Sequence, residues 1–202
     1  MRKLVTLAAV MACMAFLAAA PPASAATMAE WAASPITVGD KTFTLISTTW
    51  ASNDNINITQ FSSIHSCSLQ PASGLLTNTT KTLIYKVTII DNPATPENEA
   101  LLMYFSQVSA DGNRYIVSGT FTTTGVFDDS SDFSSPLATF SNAGTPTGVL
   151  PIAGTVKELY VRLTFVASGS TILTSHTVAF TQAEEEVATE PATWGVIKSL
   201  YR

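Results

Sequence analysis

Cysteine is almost missing from this chain of 202 residues, which has only Cys13 and Cys67. Cys13 falls inside an apolar leader, so an exported form keeps Cys67 alone, and one thiol cannot staple a fold internally. Histidine is as scarce, with His65 and His176 far apart in the chain. A zinc site would therefore have to draw most of its ligands from carboxylates. Charged residues make up 12% of the chain. Without Arg2 and Lys3 of the leader, eight basic residues face fifteen acidic ones, a net charge of −7. No basic cluster exists to displace counterions from a phosphate backbone, which argues against nucleic acid as a partner. Beyond the leader no run reaches the 18 or so consecutive apolar residues of a spanning helix, so no stable membrane span is expected in the mature chain. No nucleophile elbow, phosphate loop or dinucleotide fingerprint occurs.

What is present starts at the amino terminus. Arg2 and Lys3 precede an apolar run from Leu4 to Ala20, and Ala23-Ser24-Ala25 follows as a small-x-small cleavage pattern. Residues 1–25 read as a signal peptide, with the mature chain beginning at Ala26 and the protein secreted or held in the cell envelope. Val10-Met11-Ala12-Cys13 is a loose alternative for lipidation. It would leave Met14 to Ala20 as an apolar mature terminus, so the signal-peptide reading is preferred.

The body of the chain is rich in Ser, Thr and β-branched residues that suit a pleated, half-buried surface. Period-two alternation is plain in several segments. Leu159, Val161, Leu163 and Phe165 oppose Glu158, Tyr160, Arg162 and Thr164, while Leu83, Tyr85, Val87 and Ile89 oppose Thr82, Ile84, Lys86 and Thr88. Tyr115, Val117 and Phe121 oppose Arg114, Ser118, Thr120 and Thr122, and Ile172, His176, Val178 and Phe180 oppose Ser175, Thr177 and Thr181. Thr42 to Trp50, Asn55 to Gln60 and Leu101 to Val108 are further strands, and Thr27 to Ser34 suits one short helical turn. Asp111-Gly112-Asn113 and Ala167-Ser168-Gly169-Ser170 carry turn chemistry and predict hairpins. Loops are expected around Pro93 and Pro96, over Asp128 to Pro136, and over Asn142 to Gly148. These features predict an all-β fold, a single antiparallel β-sandwich of eight to ten strands, immunoglobulin-like or jelly-roll. The domain spans 26–182. The run Glu184-Glu185-Glu186 starts an acidic linker and flexible tail over 183–202.

Near the carboxyl end, Glu190-Pro191-Ala192-Thr193-Trp194 resembles the opening of the sorting tag of PEP-CTERM proteins, the exosortase-sorted exported proteins of Gram-negative bacteria. Ile36-Thr37-Val38-Gly39-Asp40-Lys41-Thr42-Phe43 also resembles the first strand of many small proteins that carry that tag. The resemblance implies export to the envelope, a place in the extracellular matrix or biofilm, and exopolysaccharide or other envelope components as partners. The tag is shortened: Thr189 stands where its first proline belongs, Lys198 interrupts the apolar tail, and Arg202 alone remains of the basic end. Eight residues after Trp194 cannot cross a bilayer of about 30 Å, so release rather than anchoring is expected.

Chemistry-bearing residues are few. His65 and Cys67 share one side of a strand and could form a base and nucleophile, against the plainer reading of a structural cysteine. Asp128, Asp129 and Asp132 are the candidate ligands of a calcium ion, against a solvated loop. Asp91, Glu97 and Glu99 could suggest glycosidase carboxylates, but positions on one proline-rich loop rarely flank a cleft from two sides. Trp31, Trp50, Trp194, Tyr104 and Tyr115 could form a sugar-stacking platform or simply fill the core. His176 is placed in the interior. The glycosylation sequons at Asn57 and Asn78 mean little in a bacterial chain. The expectation is a non-catalytic surface or matrix protein needing no cofactor, with a carbohydrate-binding module and a secreted hydrolase as alternatives.

Overall fold

The alternation of β-branched and aromatic residues with Ser and Thr forms an all-β, antiparallel fold in the computed structural model, which describes residues 23–96, 98–142 and 148–185. In chain order the strands are β1 (Ala23–Thr27), β2 (Ile36–Val38), β3 (Lys41–Thr48), β4 (Asn55–Phe61), β5 (Ile64–Gln70) and β6 (Leu75–Ile89). They continue with β7 (Met103–Ile116), β8 (Thr120–Asp128), β9 (Ala138–Asn142), β10 (Leu150–Val156) and β11 (Glu158–Glu184). The helices α1 (Met28–Ala33) and α2 (Glu99–Leu102) are short. The described residues thus hold eleven strands, one more than the upper expectation.

The long strand β11 is the spine. Along one edge, Glu158 to Ile172 pair with β6 and His176 to Thr181 pair with β5. Along the other, Tyr160 to Ser168 pair with β8 and Thr171 to Glu184 pair with β7. The strand bends between these halves, so their inner faces meet: Phe165 stands edge-on to His176, with ring centroids 5.1 Å apart. Phe180 from the second half packs against Phe43, Tyr85 and Phe105. The sheet runs β1-β4-β5-β11-β6-β3-β2, and its end strands lie close enough nearly to close it. Leu159, Val161, Leu163 and Phe165 are buried on one parity, as are Leu83, Tyr85, Val87 and Ile89. Both core faces follow the alternation of the sequence.

Several local expectations are corrected. Asp111-Gly112-Asn113 is not a hairpin; it lies inside β7, paired with Thr177, His176 and Ser175 of β11. Ala167 to Ser170 is not a connection between two strands but a bulge within β11, where register shifts between Ala167 and Ser170. Gly169 sits there at φ +97°, and a Cβ would lie 2.4 Å from the Ser118 carbonyl oxygen, so a close crossing rather than a chain reversal requires the glycine. A second shift, between Leu173 and Ser175, changes the parity of β11. Leu173 is therefore buried and Ile172 exposed, while His176, Val178 and Phe180 stay inside. Tyr115 and Val117 are exposed and do not share a strand with the buried Phe121, because the chain reverses between β7 and β8 at Gly119. The ladder also continues past Gln182, with Ala183 opposite Tyr104 and Glu184 opposite Met103. Glu185 donates its N–H to the Leu102 carbonyl and its carboxylate pairs with Lys157 at 3.3 Å.

The expected helical turn is α1, and its sequence explains it. Thr27 Oγ1 accepts the Glu30 N–H at 3.2 Å while the Glu30 carboxylate accepts the Thr27 N–H at 2.7 Å, a reciprocal cap of about 1 kcal/mol. The helix buries Met28 and Trp31, and the Trp31 indole donates to the Phe43 carbonyl at 3.0 Å. In front of it, β1 pairs antiparallel with β4, Ala23 opposite Thr59 and Thr27 opposite Asn55. The expected cleavage point after Ala25 therefore falls within this strand. Residues 1–22, Cys13 among them, and residues 186–202 lie outside the described residues, as do Glu97 and residues 143–147.

Candidate functional site

The residues with the strongest chemistry converge where β2, β3, β5 and the end of β11 meet. Gly39 and Asp40 form the turn from β2 to β3, and Lys41 opens β3 on the same inward parity as Phe43. Lys41 is fully buried. Its ammonium lies 3.1 Å from both carboxylate oxygens of Asp40, donates to Gln182 Oε1, and stands 5.8 Å from the Phe105 ring centroid. His65 enters from β5, with Nε2 3.1 Å from Asp40 Oδ1 and 3.1 Å from the Val38 carbonyl. Burial pulls Lys41 below its ordinary range, opposed by the Asp40 charge. Burial, followed by the Lys41 charge, pulls His65 down to about 4. The neutral imidazole can donate from Nε2 to Val38 or Asp40, while its buried Nδ1 has no partner among the described residues. These three side chains form a buried polar knot, with Lys41 and His65 fully buried and 5% of the Asp40 side chain exposed.

Cys67 follows His65 on β5, and both side chains point inward as the spacing predicts. His65 Nε2 faces Asp40 and Val38, while the Cys67 thiol faces the Tyr85 hydroxyl. Burial pushes the Cys67 thiol up to about 12, against the weaker effect of the Tyr85 hydroxyl nearby. A thiol this hard to ionise is inert. His176 is interior as expected, between Phe165 and Phe140, and burial followed by the Arg114 charge lowers it to about 4.

The acidic loop after β8 holds itself together. Asp128 is buried and accepts N–H groups of Asp129, Ser130 and Ser135 at 2.7, 3.4 and 3.1 Å. Asp132 accepts the Ser130 hydroxyl at 2.5 Å and the Ser134 N–H at 3.1 Å, and Asp129 is exposed. Asp128 and Asp132 thus serve as loop caps, and no cluster of three metal-ligating side chains occurs among the described residues. Asp91 and Glu99 are similarly occupied, Asp91 by the Ala100 N–H and Glu99 by the Asn92 N–H and the Thr95 hydroxyl. Trp31 and Trp50 are core residues and do not form a platform. Trp194 and the tag-like Glu190 to Thr193 lie outside the described residues, and Tyr104 is half-buried. Tyr115 is different: 68% of it is exposed.

Beside Tyr115 the outer face of β7 and β11 encloses a hollow of about 380 Å³, lined by Asp111, Gly112, Asn113, Ser175 and Thr177. A smaller hollow of about 140 Å³ lies beneath Trp50, Asp54 and Lys81, where Asp54 is taken up by the Ala51 and Ala72 N–H groups. Sequence reasoning missed both the buried knot and the larger hollow. The knot had one signal, a lysine on the apolar parity of Phe43. The hollow was hidden because Asp111-Gly112-Asn113 has the composition of a turn.

No family model matches the chain, and no curated protein does. Among solved structures, a complex of accessory secretory proteins 1, 2 and 3 from Streptococcus pneumoniae is similar at 14% identity, covering 65% of this chain and 86% of that one. Its TM-score of 0.26 is too low to bear on fold or function.

Proposed function

We propose that this chain is a non-catalytic, exported β-sandwich of a Gram-negative bacterium that serves as a surface or extracellular-matrix component. One observation carries the reading: His65, His176, Cys67 and Lys41, the side chains best suited to acid, base or nucleophilic work, are all buried among core residues. General acid–base catalysis needs such a group within hydrogen-bond reach of substrate. Export rests on the leader and its cleavage pattern, and a matrix role rests on the tag-like Glu190 to Trp194. Fractionation of the producing bacterium tests it. Mature chain beginning at Ala26 is expected in the envelope or medium, with unchanged export and folding after deletion of 190–202. Retention of Met1 in a cytoplasmic protein would overturn the reading. Loss of surface protein on that deletion, with secretion intact, would show a working tag in place of release.

Carbohydrate binding is a second reading, favoured by the exposed Tyr115 beside a polar hollow.

A further inference from the structure

We propose that the outer face of β6, β11 and β7 holds a binding subsite for an uncharged glycan, with Tyr115 as its stacking surface and Asp111, Asn113, Ser175 and Thr177 as its hydroxyl-binding wall. The proposal rests on the carbohydrate-binding reading and adds to it a location and a ligand class. Its basis is register. Leu75, Ile172 and Tyr115 are directly opposite one another on three adjacent strands, and all three are exposed, at 56%, 38% and 68%. Cross-strand partners share a face of the sheet, so they form one apolar row. Along the same face, Asn113 is opposite Ser175, and then Asp111 is opposite Thr177, whose other neighbour is Ser68. These polar positions line the hollow of about 380 Å³, at the lower end of the size range of ligand sites.

An apolar row beside a polar hollow matches the two sides of a pyranose ring, which offers one face of C–H groups and a rim of hydroxyls. The Tyr115 ring can lie against the C–H face. The Asp111 carboxylate accepts from hydroxyls, with one oxygen already oriented by the Gly112 N–H at 2.7 Å. The Asn113 amide both donates and accepts. Thr177 donates to Ser68 Oγ at 2.9 Å, which leaves its own lone pairs to accept from a ligand.

Charge then selects among glycans. Asp111 is the ionic group that lines the hollow. The nearby cation, Arg114, is on the opposite parity and lies over the Phe121 ring at 5.4 Å. Among the described residues no cation lines the hollow to receive a uronate, sulfate or phosphate group, and the acidic chain repels them at longer range. The site suits neutral sugars and rejects acidic ones.

The test titrates mature protein with cellohexaose, laminarihexaose and mannohexaose as neutral probes and a guluronate hexamer as the acidic one, by calorimetry and amide-shift mapping. Binding of at least one neutral probe is expected, with shifts centred on 111–115 and 172–177 and none with the guluronate. Tyr115→Ala should weaken that binding at least about tenfold and Asp111→Asn by several-fold, while Phe61→Ala, at another exposed aromatic, should not. Both sites of substitution are on the surface, so an unchanged melting temperature shows that fold is not the cause. Neutral binding that ignores Tyr115→Ala and maps elsewhere would overturn this site and leave the carbohydrate-binding reading standing. No binding by any neutral probe would overturn both. Tighter binding of the guluronate would overturn the ligand class.

Discussion

Asp40 and Asp111 occupy opposite environments in the same fold. Asp40 is buried between Lys41 and His65, each at 3.1 Å, with 5% of its side chain exposed. Asp111 sits on an outer strand face and lines an open hollow with Asn113, Ser175 and Thr177. The comparison separates chemical potency from availability. The interior knot has a carboxylate, an ammonium and an imidazole in contact, a constellation that in a cleft would suggest catalysis. Here it closes the junction between β2, β5 and the end of β11. The outer face has milder groups, but a ligand can reach them.

Breaking the carboxylate in each place should give the largest contrast. Asp40→Ala leaves the Lys41 ammonium buried without its counter-ion and should cost about 3–5 kcal/mol in urea melts. Asp111→Ala should remain within about 0.5 kcal/mol of the parent. If the double variant Asp40→Ala, Lys41→Met recovers much of the loss, the cost is the unpaired charge rather than lost packing.

The aromatic pair sharpens the same contrast. Phe165→Ala removes a fully buried ring in contact with Trp50 and His176 and should cost about 3–5 kcal/mol. Tyr115→Ala should be nearly neutral in the same melts. Arg162→Ala falls between them, at roughly 0.5–1 kcal/mol, because the guanidinium stacks on Phe133 at 4.5 Å.

The interior also predicts a pH response that the outer face does not. His65 and His176 are held near 4 in the folded chain, against about 6.5 when unfolded. Between those values the unfolded chain binds more protons. Stability is therefore fully present above about pH 6.5, falls as pH drops, and stops falling on this account near pH 4. The loss is on the order of 3 kcal/mol per histidine. Melts at stepped pH check the direction, and a rise in stability on acidification across this window would contradict it. The smallest effect belongs to the amino-terminal edge. A chain starting at Ala26 lacks three of the five β1 pairs and should lose less than about 1 kcal/mol relative to one starting at Pro21.

The sequence disclosed the parts of the fold governed by strict period two. Leu159 to Phe165 and Leu83 to Ile89 could be assigned inward from alternation alone, and the Thr27 and Glu30 spacing matches the cap of α1. It hid whatever depends on a glycine's neighbours. Gly112 and Gly169 each sit among polar residues in a manner that suits a turn, yet both lie inside long strands, one paired and one at a bulge. Two features without a strong local signal explain why alternation places Tyr115 and Ile172 inward: the chain reverses at Gly119 between Tyr115 and Phe121, and register shifts between Leu173 and Ser175 separate Ile172 from His176. The knot was illegible for another reason: Lys41 finds Gln182 across 141 positions, a contact that no local pattern encodes. For Asp128, Asp129 and Asp132, composition shows carboxylates that suit either an ion or a solvated loop, and does not show the loop N–H groups that Asp128 and Asp132 accept.

The most direct test of the claim that the potent groups are structural is a pH titration of the two histidine rings by NMR in the folded protein, where only His65 and His176 contribute. Ring shifts that stay constant from pH 8 to about 5 and move only near 4 are predicted. Titration of either ring near 6.5 would mean that it meets solvent, and would contradict the account of a closed interior.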